Sequence, residues 1–186
     1  MAEINETYEY SVAQKAEGKW RWRRAGLIAL YVLMPVITLI LIMGPLKGMV
    51  YMGAFIVLAD AVLIFFTWRL VSVEYSYEVT SGKVTFTLIQ NAFNHRIKKP
   101  KAEFMLRECS LIAPLREPEY EAKYREYAPD TVISALSSEK AEDAYFALYS
   151  GEDGKRCAFL FEATNDMLKR CRFYNREATV VRTMRY

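Results

Sequence analysis

The sequence predicts a membrane α-helical hairpin joined to an α+β domain of about seven antiparallel strands capped by a C-terminal helix. Three observations carry that prediction. Ala25–Leu46 and Met49–Trp68 are long apolar stretches separated only by Lys47 and Gly48. After them come short runs of period-two alternation bounded by turn residues. At the end of the chain the period changes to that of a helix.

Each apolar stretch has roughly the 20 residues a helix needs to cross a hydrocarbon core of about 30 Å. Gly44-Pro45, just before the gap, forces a sharp reversal. The domain plan is therefore a juxtamembrane segment 1–24, a hairpin 25–68 (spans 25–46 and 49–68) and a domain 69–186. Lys15, Lys19, Arg21, Arg23 and Arg24 precede the first span and Arg69 follows the second, while the turn carries only Lys47. Positive residues concentrate on the cytoplasmic side, which places both termini in the cytoplasm and the turn outside the cell membrane. Trp20, Trp22 and Trp68 suit the inner interface and Tyr51 the outer one. A cleaved signal peptide fits poorly: the first run is too long, a second follows, and no small-x-small cleavage site stands after it. Upstream, Asn5–Glu17 reads as a short interfacial helix with Tyr8, Val12 and Ala16 on one face.

Val71–Thr80 alternates, with Val71, Val73, Tyr75, Tyr77 and Val79 on one face. Ser81-Gly82 is a two-residue hairpin turn, and Lys83–Gln90 alternates again. Asn91–Asn94 is a second turn signal, and His95–Phe104 makes a third strand. Leu106–Glu108 is a bend before Cys109–Ala113, which Pro114 ends. The charged segment Arg116–Asp130 holds Tyr120, Tyr124 and Tyr127 at helical spacing, as a helical turn or a loose loop. Thr131–Leu136 is a short alternating run. Ala144–Ser150 and Lys155–Ala163 flank Gly151-Glu152-Asp153-Gly154, a strong hairpin signal. Thr164 or Asn165 is a suitable N-cap, with Asp166 favourable in the first turn. Met167, Cys171, Tyr174, Ala178 and Val181 then form one apolar helical face.

This order of elements, with Ala102–Ala113 as a strand–bend–strand segment, resembles the bacterial membrane-anchored PH-like domain families. The resemblance implies an architecture more than an activity. Eukaryotic PH domains hold phosphoinositides with basic residues in the first hairpin loop. Here that loop is read as Thr80-Ser81-Gly82-Lys83, which has a single lysine.

Composition narrows function further. After Trp68 the chain has 19 basic and 17 acidic residues, a near-neutral balance unlike a nucleic-acid binder. Cys109, Cys157 and Cys171 are widely spaced and read as reduced packing thiols. His95 is the only histidine, and no glycine-rich phosphate loop occurs. No enzyme, metal, cofactor or small-molecule substrate is therefore expected. Asp60 stands near the middle of the second span, where an ionised group costs about 2.5–3.5 kcal/mol. Thr38 and Tyr31 fall within about a turn of its level. Pro35 removes the helical donor of the Tyr31 carbonyl, so a protonated Asp60 could donate there. Asp60 reads as a staple of the hairpin or of a homodimer, as a contact to a partner membrane protein, or as part of an ion path. Arg96, Lys98, Lys99 and Lys101 are candidates for anionic-lipid contact, or for guarding an edge strand. The expected function is a non-enzymatic integral membrane protein presenting its domain to a protein partner or to itself. The alternatives are an anionic-lipid module and an accessory subunit of a transporter or other membrane complex.

Overall fold

The computed structural model describes residues 7–44, 50–92, 95–151 and 153–181. They fall into two compact units. One takes the chain up to Gln14 with Glu74–Leu88 and Lys98 onward; the other takes Lys15–Val73 with Ile89–Ile97.

The chain opens on a strand. β1 (Tyr8–Ala13) pairs antiparallel with β2 (Val73–Thr80), from Tyr8 opposite Val79 to Ala13 opposite Glu74. This corrects the expected interfacial helix over Asn5–Glu17. Val12 is buried, Tyr8 and Tyr10 are partly covered, and Glu9, Ser11 and Ala13 are exposed, which is a strand pattern. It also moves the domain boundary, because residues 8–13 belong to the same sheet as the strands after 69. Gln14 is tied in as well, its Nε2 donating to the Ser137 carbonyl at 2.8 Å.

β3 (Lys83–Ala92) and β4 (His95–Met105) complete a sheet of order β1-β2-β3-β4. The β2–β3 turn places Ser81 and Gly82 at φ 52° and 82°, as a type I′ turn demands. A Cβ on Gly82 would also lie 2.8 Å from the Tyr174 ring. The second turn signal, Asn91–Asn94, falls partly outside the described residues. The bend at Leu106–Glu108 is a short 3-10 turn.

The second sheet holds β5 (Leu111–Pro114), β6 (Thr131–Ser134), β7 (Ala144–Ser150) and β8 (Arg156–Glu162) in the order β5-β7-β8-β6. The strands thus number eight in two four-stranded sheets, where about seven were expected. β6 runs parallel to β8. β6 and β8 are joined through β7, whereas β5 and β6 run the same way at opposite edges of the sheet and are joined by a crossover that contains a helix over Pro118–Tyr127.

β7 is buried on both faces. Its inner side meets the aromatic core around Phe159, whose ring lies 5.2 Å from Phe86, 5.5 Å from Phe104 and 5.6 Å from Phe161. On its outer side Phe146 and Leu148 join Ala113 and Ala158 under Tyr120, Tyr124 and Tyr127 of the crossover helix. Those tyrosines account for the helical spacing seen in an otherwise charged segment.

The C-terminal helix runs Asn165–Tyr174, capped by Thr164, whose hydroxyl accepts from Met167 N–H at 3.2 Å. Met167, Leu168 and Cys171 are buried. The expected face extended to Ala178 and Val181, but the helix stops earlier. Asn175 spends its side-chain amide on the Leu106 and Cys109 carbonyls, both at 2.8 Å. Such side-chain bonds compete with helical ones. The chain then turns onto the edge of β5, where Ile112 N–H donates to the Ala178 carbonyl and Val180 N–H to the Ile112 carbonyl.

The second unit holds two apolar helices, Gly18–Met43 and Val50–Trp68. The first begins well before residue 25, so Trp20 to Arg24 are helical. It is long and apolar enough to cross a membrane; in the second, the described apolar side chains run Gly53–Trp68. The reversal at Pro45–Gly48 lies outside the described residues.

Candidate functional site

The two apolar helices run antiparallel, with Tyr31 against Thr67 and Ile42 against Gly53. The Thr67 hydroxyl donates to the Leu63 carbonyl at 2.6 Å, so the 2.5 Å bond between Tyr31 and Thr67 is donated by the tyrosine. The Tyr31 ring also rests 6.5 Å from that of Trp68. A methyl at Gly53 would overlap Ile42 Cδ1. Arg24, Tyr31 and Thr38 on one helix, and Asp60 and Thr67 on the other, are each seven residues apart. A heptad repeat keeps such positions on the seam between two helices.

Thr38 and Asp60 are the buried polar side chains of these helices among the described residues. Thr38 returns its hydroxyl to its own helix, donating to the Met34 carbonyl at 2.9 Å. Asp60 is 9% exposed, covered by its own chain. Its Oδ2 has no hydrogen-bond partner among the described residues. Tyr31 and Thr38, the two residues expected beside Asp60, thus commit their hydroxyl protons elsewhere.

The outward faces of these helices are apolar. Leu33, Ile40, Phe55 and Leu58 are each more than half exposed. Patches of that size on a soluble surface mark contact with lipid or protein. Trp22, at the start of the first helix, is 79% exposed, and the Arg23 guanidinium lies over the Trp20 ring.

The helices leave β1 after Ala13 and return to β2 at Val73, so they occupy the connection between two paired strands. That corrects the placement of the first hairpin loop. Thr80–Lys83 is the second such connection; the first contains both helices together with Lys15, Lys19, Arg21, Arg23, Arg24 and Arg69. The sequence reading lacked β1 and so counted the loops from one strand too late. Within the helical unit, Arg24 Nε donates to the Val71 carbonyl at 3.1 Å. Asn91 N–H donates to the Ser72 carbonyl at 2.9 Å. No sequence signal announces that second bond, which joins β3 to the residues just after Trp68.

β4 is a terminal strand of its sheet. Arg96, Lys98, Lys99 and Lys101 along it are all exposed. Pro100 stands among them, a residue that sheets confine to edges. No group of three His, Cys, Asp or Glu side chains placed to hold a metal occurs among the described residues.

Cys109 and Cys171 are buried free thiols and Cys157 is partly covered. Burial pushes the Cys171 thiol up to about 12 and the Cys109 thiol up as well. At about pH 8 a thiol reagent is expected to reach at most Cys157 in the folded protein and all three after denaturation. A buried thiol that stays protonated in the fold contributes stability below the unfolded value of about 8.5. That contribution is expected to fade as the pH rises from there toward 12, which alkaline melting curves would show.

These features define a PH-like domain whose first strand connection is a pair of apolar helices. Residues 5–181 match the family described as Bacterial PH-like domain (DUF6106), and the chain belongs to that family. No curated protein and no solved structure matched the chain.

Proposed function

We propose that the protein is a non-enzymatic integral membrane protein in which both apolar helices cross the cell membrane as a hairpin. The PH-like domain then stands in the cytoplasm and is presented to a protein partner or to a second copy. One observation carries this reading: β1 and β2 pair around helices whose apolar side chains are exposed. Strands paired at Ala13 and Glu74 hold the outgoing and returning chain side by side. Both helices therefore cross, or neither does. The second helix, of 19 residues, is about 28 Å long, close to a hydrocarbon thickness. The cations of residues 15–24 and Arg69 favour the cytoplasm for the shared end.

Strand addition is the recognition mode that suits the domain. The edges differ in their readiness for it. β5 has its Ile112 amide groups engaged by Ala178 and Val180. β4 carries lysines and Pro100. β6 is a terminal strand with Val132 48% exposed, and supplies a short uncharged edge.

The test has two parts. Epitopes at the two chain ends are expected to be protected in intact cells, and one placed at Lys47-Gly48 accessible. Purification from native membranes is expected to recover a defined partner or a homo-oligomer. If Asp60 contributes to self-assembly, Asp60→Leu leaves insertion intact and shifts the oligomer distribution in detergent. A chain that purifies alone and as a single copy sinks the partner reading.

A further inference from the structure

We infer that the outer edge of β5 is a strand-accepting site filled by the chain's own Ala178–Val180, and that an extended segment of a protein partner binds there by displacing it. The inference deepens the reading of strand addition and rests on it.

The seat is a single parallel bridge between Ile112 and Thr179. Ile112 N–H donates to the Ala178 carbonyl at 2.7 Å, and Val180 N–H to the Ile112 carbonyl at 2.8 Å. The edge itself limits the ladder to that bridge. N–H groups on one side of a strand recur every second residue, and two residues after Ile112 stands Pro114, which has none. The register of an occupant is thereby fixed at Ile112. Side chains set what fits. Thr179 is buried, and Val180 packs against the cluster of Ala113, Phe146, Leu148 and Ala158. The occupant therefore runs parallel to β5, with a small β-branched residue followed by an aliphatic one whose N–H donates.

The segment can leave without the C-terminal helix. Arg176 and Glu177 before it and Val181 after it are exposed. The helix is held separately, by buried Met167, Leu168 and Cys171 and by the bonds of the Asn175 amide to the Leu106 and Cys109 carbonyls. Release breaks the two strand bonds and two bonds to Asn175, from Ala178 N–H and from the Thr179 hydroxyl.

The full chain in detergent and two variants test this with a synthetic peptide of sequence Arg176–Val181. One variant ends at Asn175. The other is Val180→Pro, which loses the donor to the Ile112 carbonyl and keeps the rest of the chain. A tethered segment competes as if at about millimolar concentration, so both variants are expected to bind the peptide about tenfold tighter than the full chain. A peptide carrying Val180→Pro is expected not to bind. The Ile112 amide is expected to resist hydrogen exchange in the full chain, to exchange faster in the variants, and to regain protection with peptide. Equal affinity for the full chain and the variants overturns the inference. New protection at Val132–Ser134 in place of Ile112 also overturns it, and leaves strand addition standing at β6. Absence of binding to all three proteins overturns both readings.

Discussion

A chain in which Asn-Gly joins Gln14 directly to Val73, with residues 15–72 deleted, is expected to fold as a water-soluble domain. Residues 69–186 expressed alone are expected not to. The register is the reason: Ala13 opposes Glu74, so Gln14 and Val73 are next in line for a two-residue type I′ turn. The shortened chain keeps β1 and loses the exposed apolar helices. The fragment from 69 loses Val12 and the Gln14 bond to Ser137, and uncovers Tyr77, whose ring lies 5.7 Å from Tyr10. Burying one large apolar side chain is worth about 1.5–3 kcal/mol, and a domain has only about 5–15 kcal/mol in total. Circular dichroism and thermal melting of the two proteins would decide. A fragment 69–186 as cooperative and as stable as the joined chain would show that β1 is dispensable.

The second large effect lies in the core. Phe159→Ala is expected to cost about 3–5 kcal/mol, the range for removing a buried aromatic ring. Phe159 has no exposed surface and touches rings from both sheets, including Phe86, Phe104 and Phe161. Collapse around the void would have to move two sheets at once, which keeps the cost at the upper end. The melting temperature is expected to fall by about 10–20 °C. Phe173→Ala is the control: Phe173 is 62% exposed, so little change is expected. Equal shifts for the two variants would contradict this account of the core.

Much of this fold is legible in the sequence, for local reasons. The apolar helices announce themselves by length. Residues 144–162 show their hairpin through Gly151 and Gly154, and Thr164 marks its helix by a cap. Tyr120, Tyr124 and Tyr127 have helical spacing, but in a segment so charged the sequence allows a helical turn or a loose loop, and packing against β7 decides for the helix. What escaped is non-local. Tyr8, Val12 and Ala16 fit a helical face, and six residues are too few for the period-two pattern of Tyr8, Tyr10 and Val12 to win unaided. The partner that decides the matter, β2, lies beyond both apolar helices. Likewise Ala178 and Val181 fit the helical period, and only the distant carbonyls of Leu106 and Cys109 draw Asn175 away from it.

The site divides the same way. The positions of Asp60 and of the cations on β4 can be read directly. Their surroundings depend on bonds such as Asn91 to Ser72 and Tyr31 to Thr67, which join segments far apart in the chain.

The interleaving of β1 with the helices also sets an order of events during synthesis. Residues 8–13 emerge first and then wait, unpaired, while both helices are made. Their ladder can form only once residue 74 and its followers have appeared. Translation adds about 5–20 residues per second, so the delay lasts seconds. Sheet closure thereby follows the completion of both apolar helices. A chain halted before residue 74 would leave its first strand unpaired, a ready target for proteolysis.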